Sequence, residues 1–153
     1  MLFHQHAESV GDIDNLSRVS ILGTDIDDDC LGTAQRGLYG EASFTETPPA
    51  LRERYFPLVA GLRSVIPPVK QLASFAVGDL LHGDPPSNNF DLILCRNVII
   101  YFDREAQEKL FAEFHSSLRE GGILVLGKVE TLLGGARDLF RPISSRERIF
   151  RKA

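Results

Sequence analysis

Apolar and polar positions along the chain follow two different periods. Short unbroken apolar runs read as strands of a sheet covered on both faces. Val19-Ser20-Ile21-Leu22 is the first, ending at Gly23-Thr24-Asp25. Leu72 to Val77 is the second, Phe90 to Cys95 the third and strongest, and Ile123 to Gly127 the fourth. Between them the spacing becomes helical. Asp27, Asp28 and Asp29 suit a helix start, where free N–H groups and the dipole favour negative charge. Leu31 and Ala34 give that helix its apolar side, and Gly37 or Gly40 ends it. Pro48-Pro49 precedes a short helix over Ala50 to Phe56. Pro67-Pro68 closes a stretch that reads as a small hairpin or a loop excursion, and Gly83 to Asn89 is a loop of turn formers. Asp103 caps a long helix to about Arg119, with Ala106, Leu110, Phe111, Phe114 and Leu118 in one stripe. Gly121-Gly122 is expected to stop it. Leu139 to Ile143 and Arg148 to Arg151, around Ser144-Ser145, predict a terminal antiparallel hairpin. Strands alternating with helices predict an α/β fold with a parallel sheet.

Composition narrows the class. At 153 residues the chain has the length of one domain, large enough for one core. Hydrophobic residues at 43% and charged residues at 25% exclude a disordered chain. Two cysteines and 13 glycines without a period exclude disulfide-dense and collagen-like scaffolds. The net charge is −4 with Lys and Arg scattered, so no footprint for nucleic acid or an anionic membrane surface is expected. The longest apolar run, Val98 to Phe102, is far too short to span a bilayer. Met1-Leu2-Phe3-His4 lacks the marks of a signal peptide. Cys30 and Cys95 read as reduced, small buried hydrophobes, which suits a cytoplasmic protein.

Ligands of open α/β sheets bind outside the carboxyl ends of the strands. Those ends carry Asp25, then Gly78-Asp79-Leu80, then Arg96-Asn97 with Tyr101 beyond, then Gly127-Lys128-Val129-Glu130. Asp25 has the position of an acid whose two oxygens accept from adjacent ribose hydroxyls, or else of a helix-start residue. The cluster Asp25, Asp27, Asp28 and Asp29 is not read as a metal site. Its helix-start members point in different directions, and no second acidic motif follows. Arg96, at the end of a buried strand, is expected to need a carboxylate, from a ligand or from the protein, Asp25 for example. Tyr101 is either a site residue or a core tyrosine. His4, His6, His82 and His115 have no ligand spacing, and His115 is expected at the surface.

Phe90-Asp91-Leu92-Ile93-Leu94-Cys95-Arg96-Asn97-Val98-Ile99-Ile100-Tyr101-Phe102 resembles the CheR-type chemotaxis receptor methyltransferases. The resemblance covers about residues 19–153. It takes in Gly23-Thr24-Asp25-Ile26-Asp27 with Leu31, Ala34, Gly37 and Tyr39, Arg54-Tyr55-Phe56, Phe75 to Leu81, Leu118 to Gly122, and Ile149-Phe150-Arg151-Lys152. It implies a Rossmann-like class I methyltransferase sheet ending in an antiparallel hairpin. It also implies S-adenosyl-L-methionine (SAM) as cofactor and receptor glutamates as methyl acceptors. By the same resemblance Asp25 would hold the SAM ribose, and Asp79 and Leu80 would border the adenine. Arg96 and Asn97 would contact the cofactor's amino-acid end or its surroundings, and Tyr101 would lie near the transferred methyl. A catalytic role thus falls to Tyr101 and Arg96.

The family also has a helical domain, a first strand and a glycine-rich loop ahead of this region. A ribose acid sits about 20 residues beyond such a loop, yet Gly11 is the only glycine before Gly23. Residues 1–153 are therefore expected to be a partial catalytic domain, with 1–18 a remnant of the first helix and linker and 41–71 an irregular excursion. Lacking the first strand, the sheet is expected to split into halves with unpaired edges, which a second polypeptide could complete. Lys128 and Val129 also depart from the Gly-His-Ser-Glu-like run usual in the family. The alternative expectation is a degenerate, non-catalytic methyltransferase-like module that binds a signalling partner.

Overall fold

In the computed structural model, residues 1–82 and 89–153 are described; most of the expected loop at Gly83 to Asn89 lies outside them. The chain forms two compact units, Met1–Asp79 and Leu80–Ala153.

The first unit opens with α1 (Leu2–Ser9) and a 3-10 helix (Ile13–Arg18). The strand β1 (Ile21–Asp25) follows, then α2 (Asp28–Arg36), β2 (Leu38–Tyr39) and a 3-10 turn (Glu41–Phe44). Next come α3 (Pro49–Tyr55), β3 (Leu58–Val59), β4 (Leu62–Ser64), α4 (Pro67–Lys70) and β5 (Ala73–Val77). β1 and β5 pair in parallel, from Ile21 with Ala73 to Asp25 with Val77. Gly23 lets the strands approach, since a Cβ there would lie 2.8 Å from the Phe75 ring. α2 starts and stops by side-chain and backbone chemistry. Asp27 accepts from the N–H groups of Asp29 and Cys30, and Gly37 closes the helix in the left-handed region.

The stretch expected to be irregular is ordered. β3 and β4 form a hairpin, and β2 pairs with β4 on its other side. Its two-residue turn places Ala60 and Gly61 both at positive φ, which suits the twist of the strands. Tyr39, Phe44 and Phe56 stack edge-to-face beneath it. Arg63 on β4 is buried, held by Glu41 at 2.6 Å and by Glu53 at 2.8 Å. Burial of a guanidinium is tolerable only with such pairing. α1 is tied to α3 through Arg54 and Glu8 at 2.6 Å.

The second unit contains β6 (Phe90–Cys95), a 3-10 turn (Ile99–Tyr101), α5 (Arg104–Ser117) and β7 (Leu118–Leu126). It ends with α6 (Ala136–Leu139), β8 (Phe140–Ser144) and β9 (Ile149–Lys152). The strand order is β6-β7-β9-β8: β6 runs parallel to β7, and the expected terminal hairpin β8–β9 is antiparallel. α5 buries Leu110, Phe111 and Phe114 from its stripe against Leu124, Leu126, Phe140 and Phe150.

Two expectations are corrected here. α5 stops at Ser117 rather than near Arg119, and Gly121-Gly122 lies within β7. Leu118 turns extended because its side chain is drawn into the core, and Gly121, at a φ of 71°, lies in the slip in register between Phe90 and Leu92 of the neighbouring strand. His115 is not a bare surface residue, since its ring packs edge-on against Phe140 at 5.6 Å. Among the described residues, β1 pairs only with β5, and β6 only with β7. No helix among the described residues is long and apolar enough to cross a membrane.

Candidate functional site

Each unit brings part of the predicted residue set to the carboxyl end of its own sheet. In the first unit, Asp25 is the last residue of β1 and is exposed. One of its carboxylate oxygens accepts the Asp27 N–H at 3.0 Å, which fixes the side chain. The other has no hydrogen-bond partner among the described residues. Beside it the Gly78 N–H donates to the Asp25 carbonyl at 3.0 Å. A Cβ on Gly78 would come within 3.0 Å of Thr24, so the chain leaves β5 close along β1 and carries the exposed Asp79 to the same end. Leu80 belongs to the second unit and packs against its core.

The aspartate cluster has a structural task. Hydrogen bonds from the N–H groups of Cys30 and Asp29 hold the Asp27 carboxyl below its ordinary range. Cys30 is exposed, contrary to the expectation of burial, because the first turn of α2 faces solvent. The neighbouring negative charge of Asp27, with smaller effects of desolvation and Asp25, pushes its thiol upward. Among the described residues no three His, Cys, Asp or Glu side chains converge as metal ligands.

In the second unit the end of β6 delivers Arg96, Asn97 and Tyr101. Cys95 is buried, as expected, and burial, followed by the charge of Glu130, pushes its thiol up to about 12. Arg96 is exposed, so its guanidinium is hydrated and needs no internal ion pair, which removes the expected requirement for a protein carboxylate. Asn97 turns the chain at a φ of 61°, where asparagine is among the few tolerated residues. Ile99 then plugs into the core and Tyr101 is presented at 80% exposure, which excludes a core tyrosine.

The path of this turn is set by a residue that sequence reasoning left unassigned. Glu130 is 3% exposed. Its Oε1 accepts the N–H groups of Val98 and Ile99, both at 2.9 Å, and its Oε2 accepts the Gly127 N–H at 2.5 Å. The only sequence signal is an acid three residues beyond the glycine that ends a core strand.

In the first unit Asp25 offers a fixed acceptor with one oxygen to spare for a hydroxyl donor. In the second, the exposed Arg96 and Asn97 stand at a strand end where a carboxylate can be met.

The sequence matches the family described as CheR methyltransferase, SAM binding domain, over residues 4–149. It is 36% identical over 150 residues to an uncharacterized 104.1 kDa protein of Rhodobacter capsulatus, covering 98% of this chain and 15% of that one. It is 39% identical over 124 residues to a probable chemotaxis protein methyltransferase of Rhizobium etli, covering 78% of this chain and 46% of that one. The chain thus spans less than half the length of either relative. Among solved structures it is similar to a TehB-like SAM-dependent methyltransferase of Corynebacterium glutamicum. That likeness has a TM-score of 0.48 and 17% identity, and covers 87% of this chain and 66% of the other. With the match running over nearly its whole length, the chain belongs to the SAM-binding domain family of the CheR methyltransferases, whose cofactor is S-adenosyl-L-methionine.

Proposed function

We propose that the chain binds SAM and serves methyl transfer to glutamate side chains of chemotaxis receptors in the cytoplasm. The observation that carries this reading is the β6 turn, where Arg96, Asn97 and Tyr101 stand exposed at the end of a core strand. Asp25 would accept from the ribose hydroxyls, and Asp79 and Leu80 would border the adenine. Arg96 and Asn97 would hold the amino-acid end, and Tyr101 would stand near the methyl group. When bound, SAM supplies a methyl whose bond to sulfur breaks, with its electron pair, as the acceptor oxygen bonds to carbon. A glutamate carboxylate is already ionised at neutral pH, so the chain needs no strong base. Its task is alignment, with Arg96 fixing the cofactor's amino-acid end and Tyr101 standing where the acceptor meets the methyl group.

The test is calorimetric titration of S-adenosylhomocysteine into the chain, followed by detection of base-labile methyl esters on a glutamate-bearing receptor peptide. Stoichiometric binding with ester formation is expected. A cooperatively folded chain that binds no S-adenosylhomocysteine overturns the reading.

A second reading is favoured by the one-sided pairing of β1 and β6 among the described residues. In it the domain is non-catalytic, and a second polypeptide adds a strand to one of these edges. Co-purification of such a partner together with absence of ester formation would select it.

A further inference from the structure

We propose that Glu130 is the positioning residue of the β6 turn: its carboxylate sets the backbone path that presents Arg96, Asn97 and Tyr101. The inference rests on the reading above for what the turn contacts, but the clamp itself stands on geometry alone.

A fully desolvated carboxylate is costly unless its oxygens are satisfied. Glu130 is satisfied by three backbone N–H groups and by no side-chain cation among the described residues. Two of these donors, Val98 and Ile99, are consecutive and follow directly on Asn97 in its left-handed conformation. That sequence of conformations aims successive amides at one point and makes a concave anion seat. The third donor, Gly127, lies at the end of β7. One carboxylate therefore joins the loops that leave two neighbouring parallel strands.

Gly127 completes the clamp from the other side. A Cβ there would come within 2.5 Å of the Asn97 side-chain oxygen and 2.9 Å of its backbone nitrogen. The close approach of the two loops thus requires both the glycine and the acid. Downstream, Ile99 is anchored in the core at 2% exposure, so the clamp and the plug together leave the turn one path. The Tyr101 N–H donates to the Val98 carbonyl at 3.2 Å and its side chain has no hydrogen-bond partner among the described residues, so its placement follows that path.

The test compares the wild-type chain with Glu130→Gln, which keeps the shape but turns one acceptor into a donor. A second variant, Gly127→Ala, keeps the carboxylate's charge but crowds the same seat, since its Cβ would lie 2.7 Å from the Glu130 Oε2. Amide exchange is read without ligand. Expected is exchange at least tenfold faster at Val98, Ile99 and Gly127 in Glu130→Gln, with the centres of β6 and β7 still protected. Expected too is S-adenosylhomocysteine binding weakened about tenfold in both variants.

Unchanged exchange at Val98 and Ile99 overturns the clamp. A uniform rise across β6 and β7 also overturns it, since a merely structural residue would act that way. Local loosening with unaltered ligand affinity overturns the positioning role. A wild-type chain that folds but does not bind overturns the functional reading and with it the role toward cofactor. The ligand-free exchange pattern keeps that failure distinct from failure of the clamp.

Discussion

Asp25 has one oxygen engaged by the Asp27 N–H and one left for a ligand. Hydrogen bonds to a charged acceptor contribute about 1.5–3 kcal/mol, so Asp25→Ala is expected to weaken S-adenosylhomocysteine binding by about ten- to a hundredfold. Calorimetry on the variant checks this, with its thermal midpoint as control for folding. The two thiols make a second prediction. Burial and the Glu130 charge push Cys95 up to about 12, and the aspartates beside Cys30 push that exposed thiol upward as well. A disulfide reagent at pH 8 is therefore expected to modify one thiol per native chain. That reaction should be slower than with free cysteine, because less thiolate is present. Added salt should speed it by screening the aspartates, and denaturant should release the second thiol. Position at a strand end was legible for Asp25 and Arg96, because apolar runs announce where strands stop. Exposure was not: Cys30 is an apolar-looking residue whose turn happens to face water.

At the scale of elements, α2 depends on its cap. The Asp27 carboxyl is held low by the N–H groups of Cys30 and Asp29. A group with a depressed folded value stabilises the fold fully above its unfolded value and loses that contribution as pH falls through the folded one. The stability difference between wild type and Asp27→Ala is thus expected to be constant above about pH 5 and to shrink below about pH 4. Urea midpoints at several pH values measure it. The boundaries of α2, β6 and the terminal hairpin could be read from caps, glycine and periodicity. The end of α5 could not, because the pull of the core on Leu118 outweighs the local stop signal at Gly121-Gly122. Of the β2-β4-β3 sheet only the possibility of a small hairpin before Pro67-Pro68 was legible, and the pairing of β2 was hidden. The strands of this sheet are two or three residues long, and what holds them is the pairing of Arg63 with Glu41 and Glu53 across the sequence.

At the scale of the whole chain, the second unit rests on one apolar cluster in which Phe111 is fully buried. Phe111→Ala is expected to cost about 3–5 kcal/mol of unfolding free energy, read from urea denaturation. The periodic stripe on α5 named that residue in advance, whereas Glu130 escaped notice because its role lies in backbone donors that sequence does not display. The sheet of this unit ends differently on its two sides. β8 carries Arg141 and Pro142, and proline removes a donor from the ladder. β6, at the opposite margin, is nearly all apolar and leaves Leu94 65% exposed. Among the described residues this sheet is monovalent: it is expected to accept a strand at the β6 margin and to resist one at β8. Association through this sheet alone is therefore expected to stop at a pair rather than grow into a fibre.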